Sequence, residues 1–377
     1  MKIYFDNAAT TPLHPEVIKE VSQLMASTYG NPSSSHQFGR HAKTLVEQAR
    51  KSIAKHLKAS ANELIFTAGG TEADNLILQN AVNNLGVKRI ITSAIEHHAV
   101  LNMVAALKIK KNIEVHFVKL TPQGAVDLED LEQLLKDMSV KTLVSLMYIN
   151  NEISNLLPLK MVANLCQTYG AYFHSDTVQA IGHYAIDLEE IPIDFLVASA
   201  HKFHGPKGVG FAFIRKKFGI KPLIIGGAQE HGTRAGTENV HSIAGMALAL
   251  DLALENLDKD KKYVENLKSH FINQLKKLDK NITFNGLSND LKQSSYVTLN
   301  VRFPKNIPMM LFKLDLKGIA VSGGSACQSG SDKGSHVLQA ILSAAEAQKS
   351  SVRFSFSKFN TLAEVDFALL ALKELLD

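Results

Sequence analysis

FLVASAHKFHGPKGVGF, Phe195 to Phe211, is the stretch on which the reading of this chain turns. Phe195 to Ala200 is a short apolar run of strand character, and Lys202 stands at its exit. Ser199 and His201 flank that exit, and a Gly-rich turn with Pro206 closes the segment. A lysine at the end of a buried strand is unfavourable unless its charge is used or removed. Forming a Schiff base with an aldehyde is one such use. A solvated loop lysine is the plain alternative, and the segments upstream have to decide between them.

Upstream, strand-like runs alternate with helical patterns. Strands are expected at Glu63 to Thr67, Arg89 to Ser93, Glu114 to Val118, Thr142 to Ile149 and Tyr172 to His174. Helices are expected at Thr71 to Asn84, His98 to Lys110, Asp127 to Asp137 and Leu159 to Tyr169. The fold class that follows is α/β with a mostly parallel sheet. One long helical stretch is expected over Thr237 to Leu278. Beyond it, strands near Tyr296 to Arg302 and Val352 to Phe356 mix with helices near Met309 to Leu316 and Ala363 to Leu376, the pattern of a smaller α+β domain. We expect a large domain over 13–255 and a small domain over 256–377, with the segment 1–12 packing on the small one.

Three further strand exits carry chemistry. FTAGGTEADN, Phe66 to Asn75, is a strand, a Gly-Gly turn and a helix beginning at Thr71. Free N–H groups at a helix start, approached through glycine, suit an anion such as phosphate. Simple capping by Thr71 is the bland reading. Asp176 in YFHSDTVQA ends another strand, where α/β sheets gather ligands. In SAIEHHAV, Ser93 to Val100, either His97 or His98 could project over a planar ligand. His174, His201 and His204 follow no zinc spacing, so no metal is expected.

Taken in chain order, DNAATTP, GNPSSSH, TAGGTEADN, EHHAV, NNEIS, HSDTVQA, SAHKFHGPKG, RAGTENV, SGGSACQSGS and VRFSFS resemble the fold-type I pyridoxal-phosphate enzymes of the class V aminotransferase branch. Within that branch they are similar to the cysteine desulfurases of the nitrogen-fixation and iron–sulfur-assembly type. The resembling segments run from Asp6 to Ser357. The resemblance implies that Lys202 carries pyridoxal 5'-phosphate, that Asp176 pairs with its ring nitrogen and that Gln179 bonds its ring hydroxyl oxygen. It implies that His97 stacks on the ring and assists proton transfer. Gly70, Thr71, Ser199 and His201 would hold the phosphate, and Thr237 would reach the phosphate of a partner subunit in a homodimer. Asn151 and Arg353 would bind the carboxylate of L-cysteine. Cys327 would take the sulfur as a persulfide, for passage to an acceptor protein such as an iron–sulfur scaffold or a tRNA-thiolation enzyme. A guanidinium fork independently suits a carboxylate.

Cys327 separates desulfurase chemistry from the other class V reactions, because a thiolate on a Gly/Ser-rich loop can meet a substrate and then carry cargo away. The loop Ser322 to Ser335 reads as mobile. Cys166, among apolar helical neighbours, reads as packing. Selenocysteine lyase, another class V activity and an inactive sulfur-relay paralogue are the competing readings. Gly323 departs from the family's usual serine, and the sequence stops at Asp377 after the last helical pattern, where housekeeping members extend a scaffold-docking tail.

Composition narrows the class. Of 377 residues, 45% are hydrophobic and 20% charged, as in globular domains. A net charge of +5 is spread over short clusters such as Lys110-Lys111 and Lys216-Lys217, read as solvated surface rather than a nucleic-acid patch. Two cysteines make no disulfide framework, and the N-terminus has no signal-peptide pattern. A cytoplasmic protein without membrane partners is expected.

Overall fold

A computed structural model describes residues 2–323 and 334–376. The loop carrying Cys327 lies almost wholly outside the described residues. The first part of the chain runs β1 (Ile3–Tyr4), α1 (Pro15–Ser27), α2 (Gln37–Leu57), β2 (Leu64–Thr67), α3 (Gly70–Asn83), β3 (Arg89–Thr92), α4 (His98–Lys111) and β4 (Glu114–Phe117). It continues with α5 (Leu128–Leu135), β5 (Thr142–Ser145), α6 (Leu159–Thr168), β6 (Tyr172–Asp176), β7 (Phe195–Ser199) and β8 (Gly210–Ile214). The strands β2 to β8 form one seven-stranded sheet in the order β2-β8-β7-β6-β5-β3-β4. All neighbours are parallel except β8, which runs antiparallel to both β2 and β7. The chain is thus α/β with a mostly parallel sheet.

Near-continuous apolar runs explain the inner strands. Every residue of β2, β3, β5, β7 and β8 is buried, as expected for strands covered on both faces. Because β8 alone is reversed, the exits of β2, β3, β5, β6 and β7 open on one edge of the sheet, and the entry of β8 joins them there. That edge gathers most of the residues singled out in the sequence. Strand β5 stops at Ser145, four residues short of the run expected to end at Ile149. Past Ser145 the chain still runs beside β6, Leu146 N–H donating to His174 O at 3.2 Å and Tyr148 N–H to Asp176 O at 2.9 Å.

The single long helix expected over Thr237 to Leu278 is instead two, α7 (Val240–Glu255) and α8 (Leu257–Leu278), bent by 74°. The two halves answer to different cores. Ile243, Met246 and Leu250 of α7 join the core of the large sheet, while Val264, Leu267, Phe271 and Leu275 of α8 join a second core. A straight helix could not bury both faces. Among the described residues no single helix is long and apolar enough to cross a membrane.

The second core is built on β9 (Thr283–Phe284), β10 (Thr298–Arg302), α9 (Met310–Leu316), β11 (Ile319–Ala320), β12 (Ser351–Ser355) and α12 (Leu362–Leu376), while Val337 and Leu338 of α10 (His336–Ile341), which precedes the short α11 (Ala344–Ala347), pack in a separate cluster with Ile95 and Ile153. Strands β12, β10 and β9 form an antiparallel sheet in that order. Ile3 and Phe5 belong to this core, and β1 pairs parallel with β11. A few residues on, Thr11 N–H donates to His201 O at 2.9 Å, so the N-terminal segment passes from the second core to the large-sheet edge.

Candidate active site

The strand exits meet in a cavity of about 750 Å³. Gly70 and Thr71, His97, Asn151, Asp176 and Gln179, Ser199, His201 and Lys202, and Arg353 all line it. Of the residues singled out in the sequence, Thr237 falls elsewhere, in a neighbouring cavity shared with Phe66, Gly208 and Arg234. Cys327 lies outside the described residues.

The helix start expected to hold an anion is built by glycine. Gly69 has φ +152 and serves as N-cap of α3, with no capping side chain. Capping by Thr71 is therefore not what starts this helix. A Cβ on Gly70 would sit 2.6 Å from Val178 Cγ2, so only glycine lets α3 begin this close to the loop after β6. Glu72 closes the turn from within, its Oε2 accepting from Ala68 N–H at 2.7 Å, and it pairs with Arg234 at 2.9 Å. The start of the 14-residue α3 thus faces the cavity through glycine backbone.

Lys202 follows β7 by one 3₁₀ turn, Ala200–Lys202. Its Nζ donates to Ala8 O at 2.6 Å and to Ala9 O at 2.9 Å. Gln179 Nε2 also donates to Ala8 O, at 3.0 Å, and His201 Nδ1 lies 3.2 Å from Thr10 Oγ1. The N-terminal segment therefore forms one wall of the cavity. Burial, aided by the Lys202 charge, pushes the His201 pKa down to about 4, so its ring is neutral at pH 7.

Asp176 sits buried at the end of β6, and its Oδ1 accepts from Val178 N–H at 2.9 Å. Burial raises its pKa, against the pull of His97, the Val178 N–H and Lys202. A cation placed before it would favour the ionised form. His97 is the N-cap of α4, its Nδ1 accepting from Ala99 N–H at 3.2 Å. Burial lowers its pKa, with Asp176 opposing. His98 points elsewhere, its ring 4.4 Å from that of His336. Of the two histidines, only His97 lines the cavity.

Arg353 is fully buried on β12 of the second core. Its Nη1 donates to Asn151 O at 2.9 Å and its Nη2 pairs with Asp6 at 2.9 Å, leaving its Nε buried and without a hydrogen-bond partner among the described residues. The guanidinium thus reaches the large-sheet cavity from the other core. A buried fork of this kind with an unused donor suits a carboxylate.

Sequence reasoning missed some of the wall. The Ala8 and Ala9 carbonyls act through backbone, which no residue type signals. Asp74 also lines the cavity, fully buried, its Oδ1 3.3 Å from His174 Nε2. Burial and the nearby Asp176 charge hold its pKa well above the usual carboxylate range. Its place near the start of α3, just past the first turn, gave only the bland signal of an acid near a helix start.

With this geometry, the match of residues 3–367 to the aminotransferase class-V family places the chain in that family. Curated relatives cover the chain almost end to end. A cysteine desulfurase IscS of Dictyoglomus turgidum is 39% identical, covering 100% of this chain and 95% of its own length. One of Methanosarcina thermophila is 39% identical over 99% of this chain and 91% of its own. Among solved structures, a NifS-like protein superposes with a TM-score of 0.91 at 37% identity, covering 100% of this chain and 99% of its own. SspA in complex with cysteine superposes at 0.79 with 28% identity, covering 96% of this chain and 100% of its own.

Proposed function

We propose that this protein is a pyridoxal-phosphate-dependent cysteine desulfurase, converting L-cysteine to L-alanine and passing the sulfur on as a persulfide of Cys327. The observation that carries the reading is the convergence of Lys202, Asp176 and Arg353 from two cores on one cavity, in a chain matched end to end by relatives named cysteine desulfurase. The donor set fits the cofactor group by group. Lys202 would hold its aldehyde carbon, Asp176 its ring nitrogen and Gln179 its ring hydroxyl. Gly70, Thr71, Ser199 and His201 would hold its phosphate, and His97 would cover the ring. When bound, the cofactor supplies an electron sink for the substrate carbon.

The chain's own residues do the rest. Arg353 and Asn151 orient the substrate carboxylate, which holds the Cα–H bond toward Lys202. Lys202 Nζ then takes the Cα proton. Asp176, ionised beside a cationic ring nitrogen, keeps that nitrogen protonated. The Cys327 thiolate attacks the substrate sulfur; an S–S bond forms and the C–S bond breaks. The electron pair of that bond stays with the carbon fragment, which takes up protons and leaves as alanine.

A protein acceptor, such as an iron–sulfur scaffold or a tRNA-thiolation enzyme, would then remove the persulfide sulfur. A homodimer in which Thr237 completes the neighbour's phosphate site, a division at about residue 255 into cofactor and small domains, and a cytoplasmic setting belong to the same reading. The two cores support that division.

The test is a pair of cysteine variants. Cys327→Ser is expected to keep the cofactor's visible spectrum and its response to added cysteine, but to accumulate no persulfide. Cys166→Ser is expected to match the parent, because burial raises that thiol's pKa far from neutrality. Full-rate sulfide release by Cys327→Ser would refute the persulfide step.

A further inference from the structure

Outside the cavity lining, Tyr296, His183 and the Lys202 peptide form one hydrogen-bonded chain. His183 follows β6 by seven residues, and neither it nor Tyr296 lines the large cavity. Its Nε2 lies 3.0 Å from Lys202 O. A carbonyl can only accept, so Nε2 carries the hydrogen. Burial lowers the His183 pKa, which keeps the ring neutral and leaves Nδ1 as an acceptor. Tyr296 OH stands 3.1 Å from that Nδ1 and 3.3 Å from His183 O. Its one proton is therefore shared between two acceptors that both belong to His183. The donors therefore run from Tyr296 O–H to His183 and from His183 Nε2–H to the Lys202 carbonyl.

The backbone forces the contact. Gly182 has φ +81, and a Cβ there would meet Phe203 Cβ at 2.4 Å. No other residue lets this loop press against the residue that follows Lys202. Tyr296 is 3% exposed and belongs to the second core, and a small cavity at this junction is lined by Phe203 of the first core and by Val264, Tyr296 and Phe356 of the second.

We propose that His183 is a positioning residue for Lys202, and that Tyr296 ties its orientation to the seating of the second core, which also delivers Arg353. This rests on the reading of Lys202 as the cofactor-bearing lysine. The His183 hydrogen bond holds the plane of the 202–203 peptide. That plane sets where the lysine side chain leaves the backbone, and so where Nζ stands relative to Asp176. The residue thereby couples substrate-carboxylate recognition on one core to amine placement on the other.

The experiment uses holoenzyme carrying His183→Leu, His183→Gln or Tyr296→Phe. The readouts are the pH midpoint of the visible band of the lysine-bound cofactor, steady-state kcat and KM for cysteine, and the thermal midpoint. His183→Leu is expected to shift the band midpoint and to lower kcat roughly tenfold with KM within about twofold, since small displacements of reacting groups are felt mainly in the chemical step. Gln places an amide N–H where Nε2–H stands, so His183→Gln is expected to restore most of kcat and the parent midpoint. Tyr296→Phe is expected to fall between the two. The inference is overturned if band midpoint and kcat stay at parent values in both His183→Leu and Tyr296→Phe, or if only the thermal midpoint moves. If His183→Leu does not fold, the Gln and Phe variants decide by the same readouts. The band midpoint needs no substrate, so absence of cysteine turnover in the parent would refute the proposed function while leaving this inference still judged.

Discussion

Two lysines in this molecule share a local chemistry and differ in everything that matters for function. Lys202 Nζ donates to the carbonyls of Ala8 and Ala9. Lys268 Nζ donates to Ser295 O at 2.6 Å and Ser294 Oγ at 3.1 Å. Lys268 is sealed in the second core on α8, fully buried. Burial pushes its pKa down from 10.5 to about 7, although Glu265 and Asp290 pull the other way. By pKa alone Lys268 is an activated amine. It nevertheless lines none of the cavities found among the described residues, whereas Lys202 opens on a space of about 750 Å³ that also holds Asp176 and the glycine-built helix start. A buried amine becomes a reagent only when a ligand can reach it and an acid stands across that ligand.

The comparison breaks most readily at its functional end. Lys202→Ala is expected to abolish turnover and covalent cofactor attachment, while Lys268→Met retains both. Borohydride reduction followed by peptide mass spectrometry checks this, and cofactor mass on any lysine other than Lys202 would reverse the roles. Next in size is Asp176→Asn, which removes the charge facing the ring nitrogen without changing shape. A hydrogen bond to a charged group contributes about 1.5–3 kcal/mol, so kcat is expected to fall roughly 10- to 100-fold. A near-parent kcat would reduce Asp176 to a turn residue that only accepts from Val178.

The smallest effect sharpens the other end. Lys268 has a folded-state pKa below its unfolded value, so between about pH 7 and pH 10.5 the unfolded chain binds the extra proton. Stability from this group therefore rises with pH across that window, by up to about 1.4 kcal/mol per pH unit, and is flat below it. Lys268→Met is expected to remove that rise. Urea unfolding of parent and variant at pH 7 and pH 9 measures it, and parallel pH dependences would mean the amine stays charged in the fold.

How much of this was legible before folding differs by element. The strand exits were, because an apolar run followed by glycine, histidine or an acid marks where a sheet meets a site, and Asp176, His97 and Lys202 all line the cavity. The choice between His97 and His98 was left open by the residues alone, since both follow the same strand; the turn of α4 settles which faces the cavity. The break at Asn256 was not legible, because α7 and α8 are each good helices and the bend comes from two cores pulling on one apolar pattern. Thr237 lines a neighbouring cavity rather than the one that holds Lys202, so the structure of one chain gives it no place beside the other site residues.

By itself the sequence determined the residue chemistry and the family: a lysine, an acid, a histidine and a glycine-built helix start, each at the end of its own strand. These are local properties, set by residue type within a few positions of each other. Only the tertiary structure decided that one reversed strand, β8, leaves those exits on a common edge. It also decided that the Lys202 amine rests on carbonyls of residues 8 and 9, and that Arg353 enters from the second core. Such contacts join positions nearly 200 residues or more apart, and backbone carbonyls carry no residue signature, so they exist only once long-range packing has brought the segments together.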